Sequence, residues 1–328
     1  MLRSKKVLVT GAGGFIGSHL TERLVDLGAD VSAFLRYNSR SDEGMIRQLP
    51  AETRKNMKIV YGELRELETV REAVRNIDVV FNLAALVSIP YSYLHPQEVI
   101  ETNTIGTLNV LTAARDEEVE KIVQTSTSEV YGTARYVPID EQHPKQPQSP
   151  YSASKIAADA IALSFYCSFN LPVAIIRPFN AYGPRQSNRA IIPSIISQAL
   201  TKKEILVGDI TPTRDFNFVT DTVEGFIKIA ESQESIGQEI NVGSGLEISI
   251  ADLIQKIIAA TGKEVKVVQE KKRLRPEKSE VRRLCADNSK ARKLIGWEPR
   301  VSLETGLKKT VEWIGSHGDF YKMDVYNI

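Results

Sequence analysis

The sequence predicts an α/β protein built on a doubly wound parallel sheet, followed by a smaller mixed α/β lobe. Two observations predict this fold class. Apolar and β-branched strand segments alternate with amphipathic helical segments over the first 178 residues, which is the order that strands joined by helical crossovers produce. After Pro178 this regular alternation stops, and turns and short strands mix with helices.

The elements of the first part follow one another without long gaps. Strands are predicted at 5–10, 31–35, 58–61, 78–83, 121–125 and 172–177, and helices at 16–27, 67–75, 97–115 and 151–169. The segment 78–83 is apolar without alternation, as expected for a strand whose two faces are both covered. Helices in the second part are predicted at 192–201, 221–231, 250–261, 289–295 and 303–314.

A glycine-rich turn stands between the first strand and the first helix. Glycine permits a tight turn there and lets the backbone approach a pyrophosphate at the helix N-terminus. The turn predicts a Rossmann-type dinucleotide site, and its spacing of three and three differs from the usual fingerprint. The residues assigned to this site are Gly11, Gly14, Phe15, Ile16 and Gly17.

The end of the second strand bears on the choice between NAD and NADP. An acid there would bind the ribose 2′-hydroxyl, but residues 34–40 contain none. Arg36, Ser39 and Arg40 could instead bind a 2′-phosphate, because guanidinium groups match phosphate geometry. We therefore expect NADP, with NAD as the alternative.

These patterns predict two domains. Residues 1–178 form a dinucleotide-binding domain, and residues 179–328 form mainly a substrate-binding lobe. A segment near 209–231 is expected to return toward the first domain.

Composition excludes several classes of protein. The net charge of +1 gives no sign of a nucleic-acid partner. The apolar run 77–89 is too short for a membrane span, and the apolar N-terminal segment breaks at once into glycines without a cleavage site. The two cysteines are far apart, and the four histidines lack metal-ligand spacing. We expect a cytoplasmic protein without a metal.

Candidate catalytic residues lie in two segments. Tyr151 and Lys155 are four residues apart, so they share a helix face. A phenol has a pKa near 10, and a neighbouring lysine cation favours the phenolate. That pair suits the removal of a hydroxyl proton while hydride leaves the same carbon. Thr127 and Glu129 follow the strand at 121–125, and the carboxylate suggests a second reaction built on the oxidation.

Together these motifs resemble the extended short-chain dehydrogenase/reductases that act on nucleotide sugars. The matching pieces extend over nearly the whole chain: 11–17, 82–85, 126–132, 151–155, 177–185, 214–216 and 241–245. The resemblance implies further cofactor contacts at Leu83, Ala84, Ala85 and Asn103, in addition to Tyr151 and Lys155. It implies a nucleotide-sugar site at Ser88, Asn180, Arg185, Ile192, Arg214, Asn241 and Arg275.

Within that family Glu129 is similar to the glutamate of 4,6-dehydratases and of UDP-glucuronate decarboxylases, which simple 4-epimerases generally lack. Ser128 replaces the aspartate of many dTDP-glucose enzymes, so the segment looks like that of GDP-mannose 4,6-dehydratases. Asp215 after Arg214 is unusual for a decarboxylase. The overall resemblance is to legionaminic-acid-pathway dehydratases that act on GDP-N-acetylglucosamine.

The resemblance implies a 4,6-dehydratase with Thr127, Ser128, Glu129, Tyr151 and Lys155 as its catalytic residues. It also implies a homodimer formed by the helices predicted at 97–115 and 151–169. A 4-epimerase, a UDP-glucuronate decarboxylase and a non-catalytic cofactor-binding protein are the alternatives.

Overall fold

The computed structural model describes residues 2–321 of the chain. Its strands are β1 (Lys6–Thr10), β2 (Asp30–Arg36), β3 (Met57–Gly62), β4 (Val79–Asn82), β5 (Lys121–Thr125), β6 (Val173–Pro178), β7 (Asn180–Tyr182), β8 (Glu204–Val207), β9 (Thr213–Phe218), β10 (Glu239–Val242), β11 (Glu247–Ser249) and β12 (Lys266–Gln269). Its helices are α1 (Phe15–Asp26), α2 (Ala51–Lys55), α3 (Leu67–Val74), α4 (Ile89–Leu94), α5 (Pro96–Ile100), α6 (Gly106–Asp116), α7 (Pro150–Phe169), α8 (Ile191–Thr201), α9 (Val219–Glu231), α10 (Ile250–Thr261), α11 (Ser289–Ile295) and α12 (Leu303–Ser316).

The main feature is a seven-stranded sheet in the order β10-β6-β5-β4-β1-β2-β3, with every neighbouring pair parallel. The order reverses at β1, where the chain turns from β2 and β3 toward β4, β5 and β6. Such a switch point opens a crevice beyond the carboxyl ends of the strands. The predicted α/β fold with a parallel Rossmann-type sheet is confirmed.

Helices cover both faces of this sheet. Val7 and Val9 of β1 belong to a core with Leu20 and Leu24 of α1. Leu8, between them in sequence, belongs to a second core with residues of α3, α6 and α7. Strand side chains alternate between the two faces, so a strand buried on both sides reads as a continuous apolar run.

Most predicted elements are present with small changes at their ends. The helix predicted at 97–115 differs more, because α5 and α6 are joined by the π-helical turn Glu101–Ile105. Helices α2 and α4 were not predicted. Helix α4 starts at Ile89 after the N-cap Ser88, whose side chain accepts a hydrogen bond from the Tyr91 amide.

The second part of the chain contributes both to the smaller lobe and to the large sheet. Helices α8, α10 and α12 pack together beside the small sheets β11-β9-β7 and β12-β8. Helix α9 packs against α1, β5 and β6, and β10 extends the large sheet beside β6. The return predicted near 209–231 thus continues to Val242, while the division at residue 178 stays a prediction.

Candidate active site

A cavity of about 1610 Å³ lies beyond the carboxyl ends of the large sheet's strands, between that sheet and the smaller lobe. It brings together the glycine turn, the loops after β2, β4 and β5, the start of α7 and parts of the smaller lobe. The predicted site residues that line it are Gly11, Gly14, Phe15, Ile16, Gly17, Arg36, Leu83, Ala84, Ala85, Ser88, Thr127, Ser128, Glu129, Tyr151, Asn180, Ile192, Arg214 and Arg275.

The glycine turn leaves room for a ligand at the start of α1. Gly11 has φ +68°, and a Cβ placed on Gly17 would lie 2.2 Å from the Gly11 carbonyl oxygen. The N-cap residue Gly14 supplies no side-chain cap, so the first amides of α1 stay available to an anion. These features fit the pyrophosphate of a dinucleotide.

The ribose end of the cavity differs from the prediction. Arg36 lines the cavity and its Nε lies 3.3 Å from a Glu63 carboxylate oxygen. Ser39 and Arg40 do not line it, so the predicted group of three phosphate contacts is reduced to one. Asp42 and Glu43 line the cavity instead, and the prediction missed them because it stopped at residue 40.

The loop after β4 is held from two sides. The Thr10 hydroxyl accepts hydrogen bonds from the amides of Leu83 and Ala84, both at 3.0 Å. Asn103, in the π-helical turn, exchanges hydrogen bonds with the backbone of Leu86 and donates one to the Ser154 hydroxyl. Asn103 is buried and does not line the cavity, so its predicted direct contact with a cofactor is wrong and it supports the loop instead.

Local structure explains the placement of the catalytic candidates. Thr127 caps the short 3₁₀ turn Ser128–Tyr131 by accepting a hydrogen bond from the Glu129 amide. Tyr151 lies in the first turn of α7, which a capping box between Ser149 and Ser152 fixes. The Tyr151 side chain is hydrogen-bonded to that of Thr127, and the Glu129 carboxylate is close enough to influence the phenol's pKa.

Lys155 lies one turn further along α7, behind the tyrosine. It does not line the cavity, and its ammonium group donates to the Thr125 carbonyl oxygen. Burial lowers the pKa of Lys155 to about 8. Burial also raises the pKa of Tyr151, against the hydrogen bond with Thr127. Burial thus dominates the pKa of both groups, and the assistance that Lys155 was expected to give to the phenolate stays a prediction.

Two predicted cations converge on one carboxylate in the cavity wall. Arg214 donates to Oε1 of Glu280 at 3.0 Å, and Arg275 Nη1 lies 3.7 Å from the same oxygen. Glu280 lines the cavity and was not among the predicted site residues. The two guanidinium groups provide the positive charge that a diphosphate requires.

The structure does not place two other predicted substrate contacts in the cavity wall. Asn241 is fully buried, accepts a hydrogen bond from the Tyr131 hydroxyl and donates one to the Ile139 carbonyl. Arg185 does not line the cavity, and its guanidinium group is paired with Glu22 of α1 at 2.5 Å.

Within residues 2–321 no group of three or more His, Cys, Asp or Glu side chains could hold a metal ion. In that same part of the chain, no helix combines the length and the apolar character that crossing a membrane requires.

The comparisons with known proteins decide the family. The sequence model described as GDP-mannose 4,6 dehydratase matches residues 8–310. The chain belongs to this family. Its fold and glycine turn are those of the extended short-chain dehydrogenase/reductases, so the chain is an enzyme of the nucleotide-sugar dehydratase, epimerase and decarboxylase superfamily.

The proteins to which the chain is similar are named for more than one reaction. The chain is 35% identical to a UDP-glucose 4-epimerase of Mycolicibacterium smegmatis, over 94% of this chain and 98% of that protein. It is 31% identical to the human dTDP-D-glucose 4,6-dehydratase, over 94% and 90%. The crystal structure of DesIV, a dTDP-glucose 4,6-dehydratase from Streptomyces venezuelae with NAD bound, superposes with a TM-score of 0.85 at 27% identity, over 96% of this chain and 98% of that one.

Proposed function

We propose that the protein is a nucleotide-sugar 4,6-dehydratase that converts an NDP-hexose to its 4-keto-6-deoxy sugar. The observation that carries the proposal is the Glu129 carboxylate, which lines the same cavity as Tyr151 and Thr127. An epimerase needs a base for one hydroxyl proton. A dehydratase needs a second group that removes a carbon-bound proton and assists the departure of water.

The first step uses Tyr151. Its phenolate takes the proton of the C4 hydroxyl, and the Thr127 hydroxyl orients the phenol through their hydrogen bond. A nicotinamide cofactor held by the glycine turn and by the loop after β4 would supply the hydride acceptor for C4 and the hydride donor for C6. Lys155 helps to hold the phenol in its ionised form when it is itself protonated, since a nearby cation favours an anion.

The second step uses Glu129. The new C4 ketone acidifies the C5 proton, which the carboxylate removes. The C6 hydroxyl then leaves as water, with its proton supplied by Glu129 or by a water molecule bound to Ser128. Hydride return to C6 is completed by a proton that C5 takes from solvent, and Tyr151 releases to solvent the proton that it took from the C4 hydroxyl. In the net reaction the sugar loses one water molecule.

GDP-N-acetylglucosamine is the proposed substrate, on the resemblance of the segment 127–129 to GDP-sugar dehydratases. Arg214 and Arg275 are proposed to bind its diphosphate. NADP is the proposed cofactor and NAD the alternative, since Arg36 lines the ribose end of the cavity. Replacing Arg36 with Gln should then weaken NADP binding more than NAD binding, as measured by isothermal titration.

A cytoplasmic homodimer is the proposed assembly. Exposed apolar side chains lie on the neighbouring segments 100–105 and 166–169, namely Ile100, Ile105, Tyr166 and Phe169. Light scattering on the wild type and on an Ile105→Glu variant tests this proposal.

The reaction is tested by incubating the holoenzyme with GDP-, UDP- and dTDP-hexoses in deuterated water and measuring the masses of the products by mass spectrometry. Loss of water with deuterium at C5 supports dehydration. A stereoisomer of unchanged mass, apart from solvent exchange, would support the epimerase instead, and loss of carbon dioxide from a uronate would support the decarboxylase.

Two variants separate the two steps. Glu129→Gln should slow water loss by about 100-fold to 10,000-fold, the usual contribution of a general acid or base, while reduced nicotinamide still forms. Tyr151→Phe should suppress both signals. Water loss at the wild-type rate in Glu129→Gln would refute the proposed role of Glu129.

A further inference from the structure

A buried polar cluster near the cavity is centred on Arg177, which lies near the end of β6 and does not line the cavity. Its side chain is 0% exposed. The guanidinium group donates to the Tyr131 hydroxyl at 2.7 Å, to Asp159 at 2.9 Å and to Glu239 at 2.8 Å. Nothing in the proposed chemistry requires a cation at this position, so the cluster calls for another explanation.

The partners of Arg177 lie at both ends of the catalytic loop. Ser126 immediately precedes Thr127, and Tyr131 closes the short turn that contains Glu129. Arg177 Nε lies 3.4 Å from the Ser126 hydroxyl, which itself donates to Asp159 at 2.6 Å. The guanidinium carbon also lies 4.9 Å from the centre of the Tyr131 ring. One side chain therefore holds both ends of the segment 126–131.

Asp159 connects this cluster to the catalytic helix. It lies on α7 one turn after Lys155 and is 0% exposed. Its carboxylate raises the pKa of Lys155, against the larger lowering by burial, and adds to the effect of burial in raising the pKa of Tyr151. An unneutralised carboxylate at this depth would be strongly unfavourable.

We propose that Arg177 is a positioning residue that holds the Thr127–Glu129 segment against the Tyr151–Lys155 helix and neutralises Asp159 beneath them. This inference rests on the proposed function, because Thr127, Glu129 and Tyr151 are the groups that it positions. Glu239 also accepts a hydrogen bond from Arg177. Its charge is compensated separately by the Lys145 ammonium group, which lies 2.5 Å from the Glu239 carboxylate, and neither residue lines the cavity.

The charges around the catalytic pair give the proposal a sign. Glu129 faces Tyr151 from the loop, Asp159 faces both Tyr151 and Lys155 from their own helix, and Arg177 faces Asp159 from β6. Loss of the Arg177 cation leaves the Asp159 charge uncompensated, so the phenol becomes harder to ionise. Loss of the Asp159 anion has the opposite effect.

The test measures the rate of nicotinamide reduction in the holoenzyme against pH, with the nucleotide sugar that the mass assay identifies. Arg177→Gln should move the acidic limb up by about 0.5–1 pH unit and lower the rate on that limb by about 3-fold to 10-fold. Asp159→Asn should move that limb down. Arg177→Lys keeps the cation and should move the limb less than Arg177→Gln does, so Asp159→Asn carries the pH test if Arg177→Gln does not fold.

Glu239→Gln is the matched control. It removes a carboxylate from the same guanidinium group, but on β10 rather than on the catalytic helix, so it should lower the melting temperature without moving the limb. An unmoved limb in Asp159→Asn, or an equal shift in Glu239→Gln, would overturn the proposal.

A second readout separates this proposal from the proposed reaction. The rate of amide hydrogen exchange of residues 126–131 can be measured in the cofactor-bound protein without any sugar substrate. Faster exchange there in Arg177→Lys, with unchanged exchange in β1, supports the positioning role, and unchanged exchange at 126–131 contradicts it. A wild type that turns over no nucleotide sugar would refute the reaction alone.

Discussion

Replacing Lys155 with Met should stabilise the cofactor-free protein. The pKa of Lys155 falls from its ordinary 10.5 to about 8 because the side chain is buried. Each pKa unit corresponds to about 1.4 kcal/mol, so burial of this ammonium group costs about 3.5 kcal/mol. Its hydrogen bond to the Thr125 carbonyl offsets about 1 kcal/mol of that. The expected gain at neutral pH is therefore about 2.5 kcal/mol.

The pH dependence identifies the cause. Below pH 8 the lysine is protonated in both the folded and the unfolded chain, and the full cost applies. Between pH 8 and 10.5 the unfolded chain binds more protons, so the stability of the wild type rises with pH. Above 10.5 both states are neutral and the cost is gone. The advantage of the variant should thus shrink through this window.

The assay is urea unfolding of nucleotide-free protein at pH 7 and at pH 10.5. Lys121 is the matched control, since burial also lowers its pKa to about 8 and it donates to Ser232 and Ser235 far from the cavity. Lys121→Met should flatten the same pH dependence without loss of turnover, whereas Lys155→Met should lose turnover. A Lys155→Met variant that is less stable at pH 7, or whose gain is independent of pH, would refute the reasoning.

Three further predictions concern the turn, the phenol and the smaller lobe. Gly17→Ala should weaken dinucleotide binding at least about tenfold in a fluorescence titration, because the added Cβ would lie 2.2 Å from the Gly11 carbonyl oxygen. A Cβ added at Gly315 meets nothing within 4 Å, so the Gly315→Ala control should bind the dinucleotide as the wild type does. In Thr127→Val the phenol loses its hydrogen bond, so the acidic limb of nicotinamide reduction should move to higher pH, and an unmoved limb would contradict that contact. Asp215→Asn should lower the free energy of unfolding by about 2–4 kcal/mol in chemical denaturation. The buried Asp215 carboxylate accepts four hydrogen bonds, and the amide nitrogen of asparagine would face some of the same donors. A loss below about 0.5 kcal/mol would contradict this account.

The sheet and the centre of the site were predictable because they depend on local patterns. Apolar runs of strand length recur between helical segments, so a parallel sheet could be predicted from the sequence. Thr127 and Glu129 follow β5 and Asn180 follows β6, and the carboxyl ends of parallel strands share one edge. All three residues line the cavity.

Contacts that depend on the register of distant segments could not be predicted. Asn241 is opposite Arg177 in the pairing of β10 with β6, which directs its amide to Tyr131 rather than to the cavity. Arg185 pairs with Glu22, a residue 163 positions earlier. The burial of Tyr151 and Lys155 was not predicted either, since helical spacing indicates proximity but not the depth of burial.

The seventh strand of the large sheet has a consequence for recombining this protein with its relatives. Strand β10 comes from residues 239–242, after the chain has already passed through α8, β8 and β9 of the smaller lobe. Residues 133–139 also contact residues 282–287, through the Ala134–Arg283 and Ile139–Cys285 backbone bonds and the bridge between Ile139 and Ala286. A fragment that ends at residue 178 would leave an open β6 edge and an uncovered catalytic loop. A chimaera that exchanges substrate specificity should therefore keep residues 219–242 and 282–287 together with residues 1–178. It should replace residues 179–218 and 243–281 as two separate inserts.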